Sequence, residues 1–439
     1  MTTGTLSGIQ IRRRFLVLHG LRWIPVGILI PSLVLLSTER GISLGDIGLA
    51  MSLRGFVWLF MDLPAGGLAD TWGRRPVLLS GGVVNLAGFV CLAAMPNLTG
   101  LMLFSVLQGV FRGLDSGALK SWFVDASLAS GEPDAVEKGL RHSGAVLGYA
   151  IGLGCVLSGG LVLLDPLPGV SALNAPTVLG AVLAAVSLVS FWLLVPETKP
   201  GTGTSFLPFA KALRTTPAAI GGALKVVGTS RTLLMLVLVE LLWGFGMVAY
   251  EVLIPVRLDD VTSADTAAAL LSPASAAAWF ISSLGVAMLP WMQRRLGRAG
   301  SAAVLRLVQG AIVVGMGLAA GPVGALIGYL ACYIVHGAAT PLHDMLLHDS
   351  VPSTHRAAAS SVNSTATQLS NALGLLVLSR IAGGSSAIAF VVAGIALAAA
   401  APLYLAARGV EGRKKSGAAV PEPGHGTNPG PAATKPSDA

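Results

Sequence analysis

Apolar residues run through this chain in long, nearly continuous stretches, not in the alternation of a strand or the narrow stripe of a soluble helix. About 20 such residues coiled as helix cross the hydrocarbon of a bilayer. Twelve stretches of that kind stand out, at roughly 15–37, 45–66, 76–95, 100–121, 140–163, 176–195, 232–255, 267–290, 300–319, 322–343, 357–380 and 384–407. They predict an all-α membrane protein with twelve transmembrane helices. The first stretch is full length and has no small-residue cleavage pattern after it, so it is expected to stay as a span.

Two segments break the pattern. Residues 196–231, beginning PETKPGTGTS, are rich in Gly, Pro, Thr and basic residues and divide the spans six and six. Part of this linker, 206–227, has scattered apolar positions among Lys211, Arg214 and Lys225 and is expected along the membrane surface. The expected units are a bundle over 1–195, the cytoplasmic linker, a bundle over 232–408, and a tail over 409–439. The tail is too poor in large apolar residues to bury a core and is expected to be disordered.

Composition agrees: 53% of residues are hydrophobic, only 11% are charged, and 55 are glycine, a profile outside the soluble globular range. The net charge of +8 raises the question of nucleic acid, and the placement of the basic residues answers it. With the N-terminus in the cytoplasm, 22 of the 29 Lys and Arg fall in cytoplasmic segments. Arg40, Arg257 and Arg380 fall outside, and Arg22, Arg54, Arg112 and Arg306 within spans. That asymmetry is the positive-inside rule, which puts both termini in the cytoplasm and assigns the basicity to topology, not to nucleic acid. Cys91, Cys155 and Cys332 lie in spans without metal-type spacing and are expected to pack.

Between spans 2 and 3 the chain reads GGLADTWGRRP. Gly66, Gly67 and Gly73 permit a tight turn, Asp70 offers an acceptor, and Arg74 and Arg75 offer donors. Between spans 8 and 9, PWMQRRLGRAG keeps Gly297 and Arg298 but has Arg294 in place of the acid. Likewise SWFVDAS after span 4, with Arg141 opening span 5, is echoed by LLHDSVP after span 10, with Arg356 opening span 11. Two parallel six-helix repeats around a midplane site are a transporter architecture.

The first loop resembles the signature GxLaDrxGrkxxl of the major facilitator superfamily, matched at Gly66, Leu68, Ala69, Asp70, Gly73, Arg74, Arg75 and Leu78, with Thr71 departing from the usual Arg. With twelve spans, the central loop and the weaker second copy, the resemblance covers residues 10 to 408. It implies two six-helix bundles that rock about a central site. It also implies a cytoplasmic gate latch, with Asp70 at the N-terminus of span 11 and Arg74 reaching Asp125. The alternative is that these residues only fix topology and cap helices. PET at Pro196–Thr198 is common in the superfamily. LFSVLQGVFRGLDSGA resembles its arginine-bearing proton-coupling motif, but Ser105 stands where the arginine is usual and Arg112 lies one turn after Gln108. The antiporter pattern of span 5 is incomplete: Gly159 and Gly160 are present, while Cys155 and Val156 replace a Gly-Pro pair.

A charge at the bilayer centre costs about 2.5–3.5 kcal/mol on insertion scales, so four lipid-facing arginines would cost on the order of 10–14 kcal/mol, as much as a whole domain's stability. They are expected to face partners or water. Arg54, Trp58 and Asp62 share one face of span 2; Gln108, Arg112 and Asp115 share one face of span 4. Glu240, Trp243, Met247 and Glu251 share a face of span 7, and Ser361, Ser364, Gln368 and Asn371 one of span 11. Counting from the cytoplasmic ends at about 1.5 Å per residue puts Arg54 and Glu240 nearest the middle, Arg22 and His19 in the inner half of span 1, and Glu251 near the outside. Glu240, with Asp62 and Arg112, is the proton-coupling candidate, because a carboxylate closed off from water resists ionisation and hydration or a nearby arginine restores it. A permanently paired structural acid is the other reading of Glu240. Arg22, Arg54, Trp58, Trp243, Met247, Gln368 and Asn371 are expected to line the substrate cavity, with packing as the alternative for the aromatics, Tyr250 included. HDMLLHDSVPSTH, with His343, Asp344, His348, Asp349 and His355, has metal-ligand residue types but no fixed third spacing, and reads as a polar loop between spans 10 and 11. No nucleophile elbow or Walker loop is present, and no enzyme chemistry, metal or cofactor is expected.

The expected function is secondary active transport: proton-coupled export of a small drug-like or antibiotic compound, by a monomer in the bacterial inner membrane, with uptake of a small nutrient as the alternative. The partners implied are a small-molecule substrate, protons and the lipid bilayer. Export rests on likeness of LPAGGLADTWGRRP and the Gly-rich span 5 to drug-export branches.

Overall fold

A computed structural model describes residues 7–196 and 230–407, apart from 116, 133 and 352–355, and the isolated positions 210 and 214. The side chains at 62–67, 70, 134, 357 and 358 lie outside the described set, as do nearly all of the linker and the tail after 407. The described chain is helical: α1 Gly8–Leu29, α2 Leu33–Glu39, α3 Leu44–Trp72, α4 Arg74–Ala94, α5 Leu98–Asp115, α6 Ala118–Ala129, α7 Asp134–Leu164 and α8 Ala175–Leu194 precede the linker. After it come α9 Arg231–Glu251, α10 Ile254–Asp260, α11 Ala264–Leu318, α12 Pro322–Asp349, α13 Arg356–Gly384, α14 Ser386–Ala399 and α15 Ala401–Ala406.

Nine described segments are long and apolar enough to cross a membrane. The difference from the twelve expected has two physical sources. α11 is 55 residues long, about 80 Å if straight, but Gly297 adopts φ +70° and ψ 176° and turns the chain between its two apolar runs. α5 and α13 are absent from the nine because one side of each is polar: α5 carries Gln108, Arg112 and Asp115, and α13 opens RAAASSVNSTATQLSN. Both pack against α3, α5 from the first half and α13 from the second.

The exterior is apolar and the interior carries the small and polar groups. On α8, Val182, Val186, Val189 and Leu193 form an exposed row at helical spacing, while Thr177, Gly180, Ala184 and Ser187 are buried on the opposite side. Leu153, Val156, Leu163 and Leu164 do the same on α7. So much exposed apolar surface suits lipid and not water. Between helices, close backbone approach replaces hydrophobic drive. Gly27 of α1 abuts the Ile151 carbonyl and Gly154 of α7 abuts the Ile24 carbonyl, so the two helices notch into one another. Gly285 of α11 and Gly337 of α12 meet the Ile334 and Ser282 carbonyls in the same way.

The internal echo keeps one register at four pairs of positions, while Arg141 and Arg356, 215 positions apart, fall outside it. Gly73 (φ +94°) and Gly297 (φ +70°) break the chain at matching points, followed by Arg74 and Arg298, whose partners are Asp125 and Asp349. Pro31 and Pro255 mark matching breaks in the first helix after each start, between α1 and α2 and between α9 and α10. Each pair (73 and 297, 74 and 298, 125 and 349, 31 and 255) is separated by 224 positions. Spans 1 and 7 are therefore each two helices joined at a proline-containing turn.

Candidate functional site

The break after α9 decides where the site lies. Val252 and Leu253 leave the helix, and Pro255 stands in the first turn of α10. Glu251 is thus the last residue of α9, beside a helix break of the sort at which carriers bind ions and solutes. It lines a cavity of about 300 Å³ together with Arg22, Arg54 and Arg112. The first half of the chain supplies most of the wall, through α1, α2, α3, α4, α5 and α7; Glu251, Val252 and Trp279 of α11 close it from the second half. Aliphatic side chains such as Val26, Leu29 and Ile151 make up much of the remainder, interleaved with Trp23, Phe89, Phe104 and Phe111, and Asn85 and Gln108 are neutral polar groups.

The four arginines expected to avoid lipid all turn inward. Arg22 forms an ion pair with Asp115, which is 2% exposed, and its guanidinium also lies 5.3 Å from the Trp23 ring and 5.9 Å from Phe111. Arg112 lies between Trp23 (5.6 Å) and Trp58 (5.7 Å), a cation–π sandwich. Arg54 and Arg112 repel one another and both attract Glu251. Neither is engaged in a direct ion pair among the described residues, so carboxylate and guanidiniums face each other with the hollow between them. Asp115 shares a face with Arg112 but neutralises Arg22, one helix away. Gln108 is held by Asn85 Oδ1 (2.8 Å).

Glu240 sits elsewhere. It is buried, with Oε2 accepting from Thr367 Oγ1 (2.6 Å) and Oε1 lying 3.3 Å from His343 Nε2. Asn363 Oδ1 is also 3.1 Å from that nitrogen, so two acceptors face Nε2 and it carries the proton. The other nitrogen meets the Tyr404 hydroxyl at 2.8 Å. Helices α9, α12, α13 and α15 are joined by this network. His343 is therefore 1% exposed in the bundle interior; the expected polar loop begins only after α12 ends at Asp349, and His355 lies outside the described residues. Trp243 and Met247 do not line the cavity. Trp243 stacks on His336 at 5.6 Å and lies 5.1 Å from the guanidinium of Arg306, which is 1% exposed and donates to Gln309 Oε1 (2.7 Å). Met247 packs against the core. Gln368 and Asn371 are half-buried and absent from the cavity wall; Asn363, Thr367 and Ser370 are the residues of α13 that reach the second half's polar interior.

At the end of the bundle carrying Gly73, Arg74 Nε lies 3.7 Å from Asp125 Oδ2, and Arg75 donates to the Trp192 carbonyl (2.8 Å). Arg298 pairs with Asp349 in the second copy. The side chains of Asp62 and Asp70 and the surroundings of Gly66 fall outside the described set. Cys155 and Cys332 are buried thiols, Cys155 donating to the Gly27 carbonyl (3.3 Å).

A multi-pass helical bundle with a lipid-compatible exterior and charge gathered round an internal hollow is a membrane transporter. The family model of the Major Facilitator Superfamily matches residues 15–375, and the chain belongs to that superfamily. An uncharacterized MFS-type transporter of Mycobacterium tuberculosis (strain ATCC 25618 / H37Rv) is 27% identical over 119 residues. That match spans 27% of this chain and 28% of the relative's length. The nucleoside transporter NupG is similar over 90% of this chain and 99% of its own, with a TM-score of 0.73 at 14% identity. A bacterial homolog of the human lysosomal transporter Spinster, in an inward-facing and occupied conformation, matches over 90% and 96% with the same TM-score and identity. A bacterial homologue of the human drug peptide transporters matches over 93% and 100%, at TM-score 0.70 and 12% identity. Likenesses at such identities concern the fold.

Proposed function

We propose that this chain is a proton-coupled secondary transporter that carries a small solute by alternating access, as two six-helix bundles rock about the cavity. The observation that carries this reading is the gathering of Arg22, Arg54, Arg112 and Glu251 from both halves of the chain around one cavity. In this reading the breaks at Gly297, Pro31 and Pro255 resolve the helices into twelve spans, with 196–231 linking the bundles and both termini in the cytoplasm of a bacterial inner membrane. The protein acts as a monomeric carrier and not as an enzyme. Arg74 with Asp125 and Arg298 with Asp349 then lie on the cytoplasmic side, where opening and closing require such pairs to exchange partners. On the outer side, Gly48 of α3 rests on the Leu375 carbonyl and Ser379 of α13, and Gly159 of α7 rests on Ser272 of α11. Small residues at those two crossings let the halves close there.

Two directions of transport remain in play, with different supports. Resemblance of the signature loop favours export of a drug-like or antibiotic compound. The excess of arginine over carboxylate in the cavity favours uptake of a solute together with protons. Purified protein in proteoliposomes, offered a compound panel under an imposed pH gradient, tests the reading. Gradient-dependent flux that a protonophore abolishes supports it; no flux for any compound by folded protein ends it. Glu240→Gln and Glu251→Gln separate the two candidate proton sites, since the coupling acid is the one whose loss leaves flux insensitive to the gradient.

A further inference from the structure

The cavity is unbalanced in charge. Asp115 neutralises Arg22 from behind the wall, and among the described residues Glu251 is the one carboxylate lining the cavity, set against Arg54 and Arg112. With Glu251 ionised the site keeps one uncompensated guanidinium; with Glu251 protonated it keeps two. Uncompensated charge in a largely apolar cavity is costly unless an anion completes it. Trp23, Phe104, Phe111 and Trp279 present flat apolar surface to whatever enters. The volume, about 300 Å³, lies at the small end of ligand pockets.

We propose that this cavity binds a small monocarboxylate with an aromatic or similarly flat apolar body, and that the anion binds together with a proton on Glu251. The ligand carboxylate and the Glu251 carboxylate compete for Arg54 and Arg112. Protonating Glu251 removes the competitor, so proton and anion each strengthen the binding of the other, and by linkage the two effects are equal. A cationic ligand would reverse the sign, because it would need Glu251 ionised and would exchange with the proton. Anion and proton therefore travel in the same direction. The transport half of this inference rests on the carrier reading above; the binding half does not.

The groups that face Glu251 are few. Arg54 comes from α3 and Arg112 from α5; Tyr250 comes from its own helix, and Tyr329, Cys332 and Tyr333 from α12. Guanidiniums, phenols and thiols ordinarily hold one charge state between about pH 5 and 7.5, which leaves Glu251 as the titrating member of the set.

The test is equilibrium binding of radiolabelled benzoate to the purified full-length protein between pH 5 and 7.5, with benzamide and benzylamine as competitors. Benzoate should bind more tightly as pH falls, by up to about tenfold per pH unit while Glu251 titrates, and the neutral and cationic competitors should displace it poorly. Glu251→Gln should bind at every pH with the affinity that the native protein reaches at its acid limit. Arg112→Gln should weaken binding about tenfold or more. Methyl benzoate, which lacks the charge, gives the same comparison on the unaltered protein, where its binding should be weak and independent of pH. Preference for benzylamine, or an unchanged pH slope in Glu251→Gln, overturns the assignment. Gradient-driven flux of other solutes without benzoate binding also overturns it, and leaves the carrier reading intact. Benzoate binding of the expected pattern with no movement of solute across proteoliposomes upholds the site and removes the carrier reading.

Discussion

Arg22 and Asp115 are bonded in an asymmetric setting, and the asymmetry makes a quantitative prediction. Asp115 is 2% exposed, whereas the Arg22 side chain keeps 17% of its surface open toward the cavity. Arg22→Leu strands a buried carboxylate, a change that costs about 3–5 kcal/mol, with about 0.5–1 kcal/mol more from the lost contacts to Trp23 and Phe111. Relief of the repulsion between Arg22 and Arg112 offsets part of this. Asp115→Asn leaves a guanidinium that cavity water can solvate, so its cost falls to about 1–3 kcal/mol. In the double variant Arg22→Leu/Asp115→Asn both charges are gone, and replacing a buried pair with neutral groups is often close to neutral. Thermal unfolding of the four proteins in one detergent, followed by tryptophan fluorescence, reads the cycle. At about 2 °C per kcal/mol for a large chain, Arg22→Leu should lower Tm by about 6–10 °C and Asp115→Asn by about 2–6 °C, with most of the loss recovered in the double variant. A double variant no more stable than Arg22→Leu would refute the claim that the stranded carboxylate causes the loss.

Three further outcomes follow from particular contacts. Tyr404→Phe removes the hydroxyl partner of His343 Nδ1 in a fully buried network and should cost about 1–3 kcal/mol in thermal unfolding; a neutral effect would show that the network is not closed through Tyr404. Gly285→Val places a side chain against the Ile334 carbonyl where α11 and α12 touch, and should cost at least about 1–3 kcal/mol, seen as loss of monodisperse protein, whereas Val at Gly315, with open space around its Cβ position, should be tolerated. Asp259, beyond the end of the apolar part of span 7, has its carboxyl raised by burial, with Asp260 and Asp265 adding to the effect. A raised acid binds its proton more tightly when folded, so its destabilising influence is absent at low pH and appears as pH rises through the raised value; Asp259→Asn should therefore increase Tm at pH 7 and leave it unchanged at pH 3.

Hydropathy was enough to foresee a helical membrane protein, because crossing hydrocarbon forces long apolar segments and satisfied backbone within each of them. The repeat was legible too: Gly297, Arg298 and Asp349 stood out against Gly73, Arg74 and Asp125 before any coordinates, since a turn between spans needs residue types that hydrocarbon does not. That four intramembrane arginines turn inward followed from the cost of the alternative. Which acid each one meets did not. Arg112 and Asp115 share a helical face, yet Asp115 answers Arg22; Glu240 and Glu251 share another, yet one is locked to His343 and Thr367 while the other opens onto the cavity. Counted from Arg231, Glu251 is the last residue of the unbroken helix α9, and Pro255, repeated from Pro31, marks the turn just beyond it. Helical periodicity places residues on a face, and insertion energetics require that face to be covered. The identity of what covers it depends on how helices distant in sequence rotate and tilt against one another, settled by small residues such as Gly27, Gly154 and Gly285 where backbones touch. For that reason the class of protein was written in the linear order of residues, while the charge pairing of its cavity arose only on packing.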